Sequence, residues 1–373
     1  MKRLFSPLLL LLSCLYLFQA CSGDYRKEAV GEPDGIWVVM DSTKWDSQTA
    51  NAIRKVFGSP VTTLPSEQPR FDLHFLNLQS NSDLDFAKKR KNVIFAAPLN
   101  DSSNTAAYLR SLLSKPVQQL VDNGKNFAFP LKNKWYRDQY TLLLTSTSDS
   151  ALANKIVSSE QQLLDNLMEF QRQRWQTRIY DRGEVTAIED TLWKEHGWKI
   201  RVQHDYALHV DTTDFVTLRR QMPDNDRWIW IWWKDNVNNI DYLDPQWVNA
   251  TRDSLNEHYI RGTVDSSYVS TEYRTDVISR TIQFNGFFGI VTHGRWHMIN
   301  GAMGGPFVNY TFYVPYQHRL YSMEFSEFAP RYKKRRFVRQ FEAMAYTFKA
   351  DSTLTQAQIT GKVKLKDNKD ESK

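Results

Sequence analysis

The sequence predicts an α+β fold in which mixed and antiparallel sheets pack against helices. Short apolar or alternating runs, such as residues 36–40 and 198–202, are typical of strands. Between such runs lie segments with apolar residues at spacings of three and four, which predict amphipathic helices. Strands and helices in this irregular order favour an α+β arrangement over a regular alternation.

The first half of the chain is predicted to begin with a strand and an amphipathic helix. Ala50, Ile53 and Phe57 give this helix one apolar side, and Gly58 ends it. The predicted strands of this half cover residues 36–40, 71–78, 92–97 and 140–145. The predicted helices cover residues 46–57, 105–113, 148–180 and 185–197.

The order of these elements resembles the split βαβ arrangement of ferredoxin-like folds, and the second half echoes it. Residues 39–43 precede the first helix, and the similar residues 209–213 precede residues 215–220. This correspondence would place a helix at 215–220 and make strand 71–78 the counterpart of residues 227–233. The sequence therefore allows two related ferredoxin-like halves.

The second half carries stronger local signals. Asp244-Pro245 is a capping residue followed by proline at the first helical position, so a helix begins there and extends to Gly262. Asn285-Gly286 between two apolar runs is the strongest short hairpin signal in the chain. Further strands are predicted over 198–202, 206–210, 227–233, 278–284, 287–291, 307–314 and 319–328, and a last helix over 333–348.

These elements divide the chain into five parts. The parts are a signal peptide over 1–20, a tether over 21–34, an N-terminal half over 35–197, a C-terminal half over 198–349 and a polar tail over 350–373. This division places Cys21 at the start of the tether and the candidate ligand-binding residues in the C-terminal half.

The first residues match a lipoprotein leader. Met1-Lys2-Arg3 is cationic, an apolar run follows to Phe18, and the small Ala20 precedes Cys21. Acylation of Cys21 would anchor the protein, because each buried methylene contributes about 0.8 kcal/mol. Two alternatives stay open, namely maturation at Cys14, which has the better local motif, and an uncleaved membrane anchor.

The residues after the anchor indicate where the protein would be located. Ser22 follows the cysteine, and Asp24 is the only acid before Arg26 and Lys27, so the acidic cluster of surface-exported lipoproteins is missing. We therefore expect an outer-membrane protein, lipid-anchored and facing the periplasm, with surface exposure as the alternative.

Composition excludes several functional classes. Of 373 residues, 41% are apolar and 24% charged, so the chain can bury a core. Both cysteines lie within the first 21 residues, which excludes a disulfide scaffold, a cysteine-ligated zinc site and a cysteine nucleophile from the folded body. The net charge of +6 is not clustered as nucleic-acid binding requires. We predict no cofactor, no metal, no catalytic residue and no nucleic-acid partner.

A run of tryptophans is the most unusual segment of the chain. In a strand, Trp228, Trp230 and Trp232 point to one side, opposite Ile229 and Ile231. The simpler interpretation is a central strand buried on both faces. The alternative is a row of indoles on an open sheet face that stacks on sugar rings, since buried indole N–H groups need partners.

A glycine-rich stretch follows the predicted hairpin and contains His293, Arg295 and His297. In a strand these three side chains would share one face, where they could contact a ligand. The spacing of the two histidines suits a metal only on a helix, and no nearby carboxylate completes a ligand set. The stretch is therefore either structural or a turn-rich functional loop.

Asp followed by Ser or Thr and then Ala, Leu or Thr recurs beyond the one or two occurrences that we estimate roughly from composition. The pattern resembles the O-glycosylation signal of Bacteroidetes envelope proteins. Helix capping is the alternative explanation, because Asp-Ser and Asp-Thr also begin helices. The predicted O-glycosylation sites are Ser42, Ser150, Thr191, Thr212, Ser254 and Ser352.

Together the anchored Cys21, the α+β body, the tryptophan run and the stretch from Asn285 to Pro306 resemble an uncharacterised family of Bacteroidetes envelope lipoproteins, a domain of unknown function. The resemblance implies an envelope location and no reaction or ligand. We expect a binding or assembly module whose partners are the membrane, through its acyl chains, and an envelope protein or glycan. The alternative is a hydrolase or transferase acting on envelope glycan or lipid.

Overall fold

The structure, a computed structural model, describes residues 24–241 and 243–353. The leader, Cys21 and most of the polar tail lie outside the described residues. The described chain has an α+β fold with antiparallel and mixed sheets and packed helices, which confirms the predicted fold class. In this part of the chain, no helix combines the length and the apolar character needed to cross a membrane.

The chain forms two compact units, and the first contains the described residues up to 52 together with residues 73–156. Its strands are β1 (Gly35–Val39), β2 (Asp72–Leu76), β3 (Asn92–Ala96), β4 (Ala128–Lys132) and β5 (Tyr140–Leu144). They form one sheet in the order β2-β1-β3-β5-β4, in which β1, β3 and β5 are parallel and β4 is antiparallel to β5. The helices are α1 (Gln48–Phe57), α2 (Asn81–Lys88), α3 (Asn104–Leu112), α4 (Lys115–Asp122) and α5 (Asp149–Ser158).

The parallel strands form the core of this unit. Every residue of β3 and β5 is buried, as expected where a parallel sheet is covered on both faces. Side-chain capping fixes the start of two helices: Ser80 and Asp83 form a capping box at α2, and Ser103 accepts the Ala106 N–H at α3.

The second unit contains residues 53–72 and the described chain from residue 157 onward. Its helices are α6 (Glu160–Ile179), α7 (Thr186–His196), α8 (Pro245–Tyr259) and α9 (Arg335–Ala345). Its strands are β6 (Trp198–Lys199), β7 (Ala207–Asp211), β8 (Phe215–Arg220), β9 (Asp226–Lys234), β10 (Tyr268–Thr271), β11 (Ile278–Phe284), β12 (Phe287–Ile299), β13 (Gly304–Val314), β14 (Arg319–Phe328) and β15 (Lys349–Ala350).

Eight of these strands form an antiparallel sheet in the order β10-β12-β13-β14-β9-β8-β7, with β11 also paired to β12. Alternation along β9 directs Ile229 and Ile231 to one face, where they join a core that includes Phe337 and Phe341 of α9. The opposite face carries a second apolar cluster against which Leu255 and Tyr259 of α8 pack. The sheet is therefore covered by a different helix on each face.

Two local predictions are confirmed by backbone geometry. Asn285 and Gly286 adopt φ values of 50° and 86°, as a two-residue hairpin turn requires, and they connect β11 to β12. Asp244 accepts the Trp247 N–H at 3.0 Å and Pro245 occupies the first helical position, so α8 begins where the sequence predicts.

Three expectations need correction. Residues 215–220 form the buried strand β8 between β7 and β9, where the internal echo predicted a helix. The predicted helix over 148–180 is two helices, since α5 ends at Ser158 and α6 begins at Glu160. The two sheets differ in strand number and direction, so they are not copies of one ferredoxin-like unit.

Candidate functional site

The tryptophan row (Trp228, Trp230 and Trp232) lies along one face of β9, as alternation predicts. Trp230 is completely buried, Trp228 is 8% exposed, and Trp232 is half-buried. The Trp230 N–H donates to Asn256 Oδ1 on α8 at 3.0 Å, and the ring of Trp228 meets that of Trp296 edge to face at 5.0 Å. The interpretation as a central buried strand is therefore confirmed, and Trp232 is the most exposed of the three indoles.

A buried ion pair holds α8 over the row. Arg252 on α8 and Glu324 on β14 are both fully buried and form two hydrogen bonds of 2.5 and 2.9 Å. The Arg252 guanidinium also lies 3.6 Å from the ring centroid of Phe307. Burial raises the pKa of Glu324, while Arg252 opposes that rise. Removal of one partner would leave a buried charge, so the pair fixes the position of the helix.

The Trp232 end of the row opens into a second feature, which we call the tryptophan groove. Its walls include Trp232 and Trp247, both half-buried, with Asp214 and Asp235 nearby, and its volume is about 630 Å³. The Trp232 N–H donates to Asp214 Oδ2 at 3.1 Å, and Arg319 donates to Asp235 Oδ1 at 2.6 Å. The groove combines two accessible indoles with oriented carboxylates, an arrangement that suits a ligand with apolar faces and hydroxyl groups.

The three residues predicted on the glycine-rich stretch lie on β12 and share one face of it, as expected for a strand. Their polar atoms contact different groups: His293 Nε2 is 3.3 Å from Glu342, and Arg295 donates to the Thr62 carbonyl at 2.6 Å. His297 Nδ1 is 3.9 Å from Glu272 Oε2. Same-face neighbours on a strand are about 6.6 Å apart, so these groups do not converge on one reacting atom. The stretch is strand over residues 287–299 and not a turn-rich loop.

Glu342 on α9 is the acid partner of His293. Burial favours its neutral form, but the charge of Arg339 and the hydrogen bond with His293 prevail and lower the pKa of the carboxyl to about 2. Among the residues that the structure describes, no group of three His, Cys, Asp or Glu side chains could hold a metal ion.

The six predicted O-glycosylation residues are accessible to different degrees. Five are exposed and Thr212 is half-buried. Asp41 accepts the Thr43 N–H at 2.9 Å at the start of a short 3₁₀ helix, so the capping explanation fits the pattern at Ser42. Asp351 accepts the Thr353 N–H at 2.9 Å in a local turn. Modification of Ser42, Ser150, Thr191, Thr212, Ser254 and Ser352 stays a prediction.

Among the buried acids that sequence reasoning missed, Glu327 on β14 stands without a hydrogen-bond partner in the described chain. Its side chain is completely buried, and neither carboxyl oxygen has a hydrogen-bond partner among the described residues. Burial raises the pKa of Glu327 to about 8, against the attraction of Arg227 and Lys334. The alternation of the strand carried a signal for Glu327. It lies two and four residues after Phe325 and Met323, on the face of β14 that packs into the apolar core.

Trp247 was missed for a different reason. Nothing local connects the first turn of α8 with β9, and only the chain path brings Trp247 to the same groove as Trp232. A tryptophan three residues after the capping Asp244 is the one feature of the sequence that could have drawn attention to it.

Two family models match the chain, each over less than half of its length. Residues 29–180 match a domain of unknown function (DUF8532), and residues 185–347 match another domain of unknown function (DUF4837). These matches are consistent with an uncharacterised family. No curated protein matches the sequence.

Solved structures give a weak likeness. The Saccharomyces cerevisiae Ran-binding protein Mog1p and a mutant of protein Mog1 are each 10% identical to this chain, with a TM-score of 0.28. Each alignment covers 42% of this chain and 92% of the other. At that score the likeness supports no argument about function.

Proposed function

We propose that this chain is a lipid-anchored binding module of the bacterial envelope, of the Bacteroidetes lipoprotein type, and that it holds a glycan in the tryptophan groove. The observation that carries the proposal is the pair of half-buried indoles, Trp232 and Trp247, beside the oriented carboxylate of Asp214. Indole faces stack on the apolar faces of sugar rings, and carboxylates accept hydrogen bonds from hydroxyl groups.

The anchor belongs to the same proposal. Acyl chains on Cys21 would hold the module at the outer membrane, facing the periplasm, where envelope glycan is within reach. Metabolic labelling with a palmitate analogue tests this step: the wild type should be labelled and Cys21→Ser should not. A protein that is unlabelled and recovered from the cytosol would contradict the anchor without bearing on the groove.

Glycan binding is tested by calorimetric titration with soluble oligomers of N-acetylglucosamine and by pull-down on insoluble peptidoglycan. Trp247→Ala should weaken binding about tenfold, because an aromatic stacking contact contributes up to about 1.5 kcal/mol. Trp193→Ala on α7 is the matched control, since Trp193 is also half-buried and lies outside the groove.

The outcomes separate the candidate functions. The proposal would be contradicted if Trp247→Ala and Trp193→Ala lost glycan affinity equally, or if the folded wild type did not bind the glycan. Release of new reducing ends from the same glycan would instead support the alternative of a hydrolase. Retention of an envelope protein by both the wild type and Trp247→Ala would support an assembly role that does not use the groove.

A further inference from the structure

A cavity lies at the other end of the tryptophan row, where Trp228 meets the end of α8. Its volume is about 200 Å³, and its walls include Trp228, Tyr259, Val269, Met298 and Met303. A cavity of about 150 Å³ with similar apolar walls holds one benzene molecule. The cavity therefore has room for one substituted aromatic ring, which indole and thioether walls contact well.

The rim of the cavity is cationic. Arg219 and Asp226 neutralise each other there through hydrogen bonds of 2.6 and 3.2 Å. Arg261 is exposed and has no ion-pair partner among the residues that the structure describes, and the exposed His209 lies on the same rim. A ligand with an anionic group near the mouth would complement Arg261.

One wall also carries an unpaired donor. The Trp228 indole N–H is buried and has no hydrogen-bond acceptor within the described chain. An unpaired buried donor costs about 1–3 kcal/mol, so a ligand oxygen that accepts from it would recover part of that cost. A cavity with room for one ring, a cationic rim and an unpaired N–H donor together suit a ligand that has an aromatic ring and an acidic group.

We propose that this cavity binds an aromatic carboxylic acid, with the ring between Trp228 and the two methionines and the carboxylate at Arg261. The same ring and carboxylate are presented by a free aromatic acid and by the C-terminal aromatic residue of a peptide. The site lies apart from the tryptophan groove, and its ligand does not depend on the glycan proposal.

The test is a titration of the purified full chain with a fluorinated phenylpropionate, followed by fluorine NMR. We expect saturable binding of the acid and about tenfold weaker binding of the corresponding alcohol, because a hydrogen bond to a charged group contributes about 1.5–3 kcal/mol. Arg261→Gln should lower the affinity for the acid about tenfold and leave the affinity for the alcohol unchanged. Arg178→Gln, an exposed arginine on α6, is the matched control and should change neither affinity.

Two further variants locate the ligand. Met303→Phe should fill the cavity and remove binding of both acid and alcohol, with a melting curve to confirm that the variant is folded. Trp247→Ala should leave the affinity for the acid unchanged, because that residue lies in the groove.

A peptide ending in phenylalanine identifies the source of the ligand. Tighter binding than the free acid, abolished by C-terminal amidation, would assign the site to a chain end. Binding of the free acid alone would assign it to a small molecule. Equal affinities for acid and alcohol, an unchanged affinity in Arg261→Gln, or no saturable binding to the folded wild type would overturn the proposal.

Discussion

Replacing Glu327 with glutamine should make the stability of the protein less dependent on pH. The Glu327 carboxyl is buried without a hydrogen-bond partner in the described chain, and burial raises its pKa from 4.5 to about 8 although Arg227 and Lys334 lie near it. The folded state therefore holds this proton more tightly than the unfolded state. The associated stability is fully present below about pH 4.5 and is lost as pH rises to about 8.

The magnitude follows from the two pKa values of Glu327. A difference of one pKa unit corresponds to about 1.4 kcal/mol, so the interval from 4.5 to about 8 is equivalent to at most about 5 kcal/mol. Glutamine has nearly the same shape and cannot ionise. Between pH 4.5 and about 9, Glu327→Gln should therefore gain about 3–5 kcal/mol in free energy of unfolding relative to the wild type.

The assay for Glu327→Gln is urea unfolding followed by circular dichroism across that pH range. Glu195→Gln on α7 is the matched control, since Glu195 is exposed, and its difference from the wild type should stay constant with pH. If the curves of the wild type and Glu327→Gln run parallel at every pH, Glu327 does not carry a strongly raised pKa and the reasoning fails.

Three other substitutions test the described interactions. Arg252→Met should lower the free energy of unfolding by about 3–5 kcal/mol, because the Glu324 carboxylate stays buried without its partner; a loss below about 1 kcal/mol in urea unfolding would contradict this. Glu342→Gln should make the protein less sensitive to acid. The Glu342 pKa of about 2 means that the wild type loses about 2–3 kcal/mol in free energy of unfolding as pH falls from 4.5 towards 2. If the Tm of both proteins, measured in thermal melts, depends equally on pH, this prediction is refuted. Gly286→Ala should cost about 1–2 kcal/mol, since φ is 86° there, and an unchanged Tm would set that argument aside.

Local signals predicted much of this fold because their causes are local. Asn285-Gly286 forms its turn through backbone preferences of two residues, and Asp244-Pro245 begins a helix through a cap and a fixed φ. Alternation likewise placed Trp228, Trp230 and Trp232 on one face of a strand before any partner was known. Each of these predictions needs only residues that are adjacent along the chain.

The missed features depend on distant residues. Residues 215–220 lie between two strands whose hydrogen bonds decide their conformation, and a five-residue echo carries no information about those neighbours. Whether the tryptophan row is open depends on α8, and the sequence does not show that Asn256 would meet Trp230. Periodicity thus identified the face of β9 correctly but not what covers it.

The position of α8 connects the groove and the cavity. Trp247 and Thr251 on the first turns of this helix line the tryptophan groove, while Tyr259 at its last turn lines the cavity beside Trp228. Between them Arg252 is the buried ionic attachment to the sheet. Lysine at this position would keep the charge without the bidentate geometry, so the helix would be held less firmly.

Arg252→Lys should therefore weaken the binding of both the glycan and the aromatic acid. In contrast, Trp247→Ala should weaken only glycan binding, and Arg261→Gln should weaken only binding of the acid. Parallel titrations of the three variants measure this, with melting curves to confirm folding. If Arg252→Lys is folded and changes the affinity for only one ligand, the helix does not support both sites. The groove and the cavity would then be independent binding sites, and the buried tryptophan row between them would not couple the binding of their ligands.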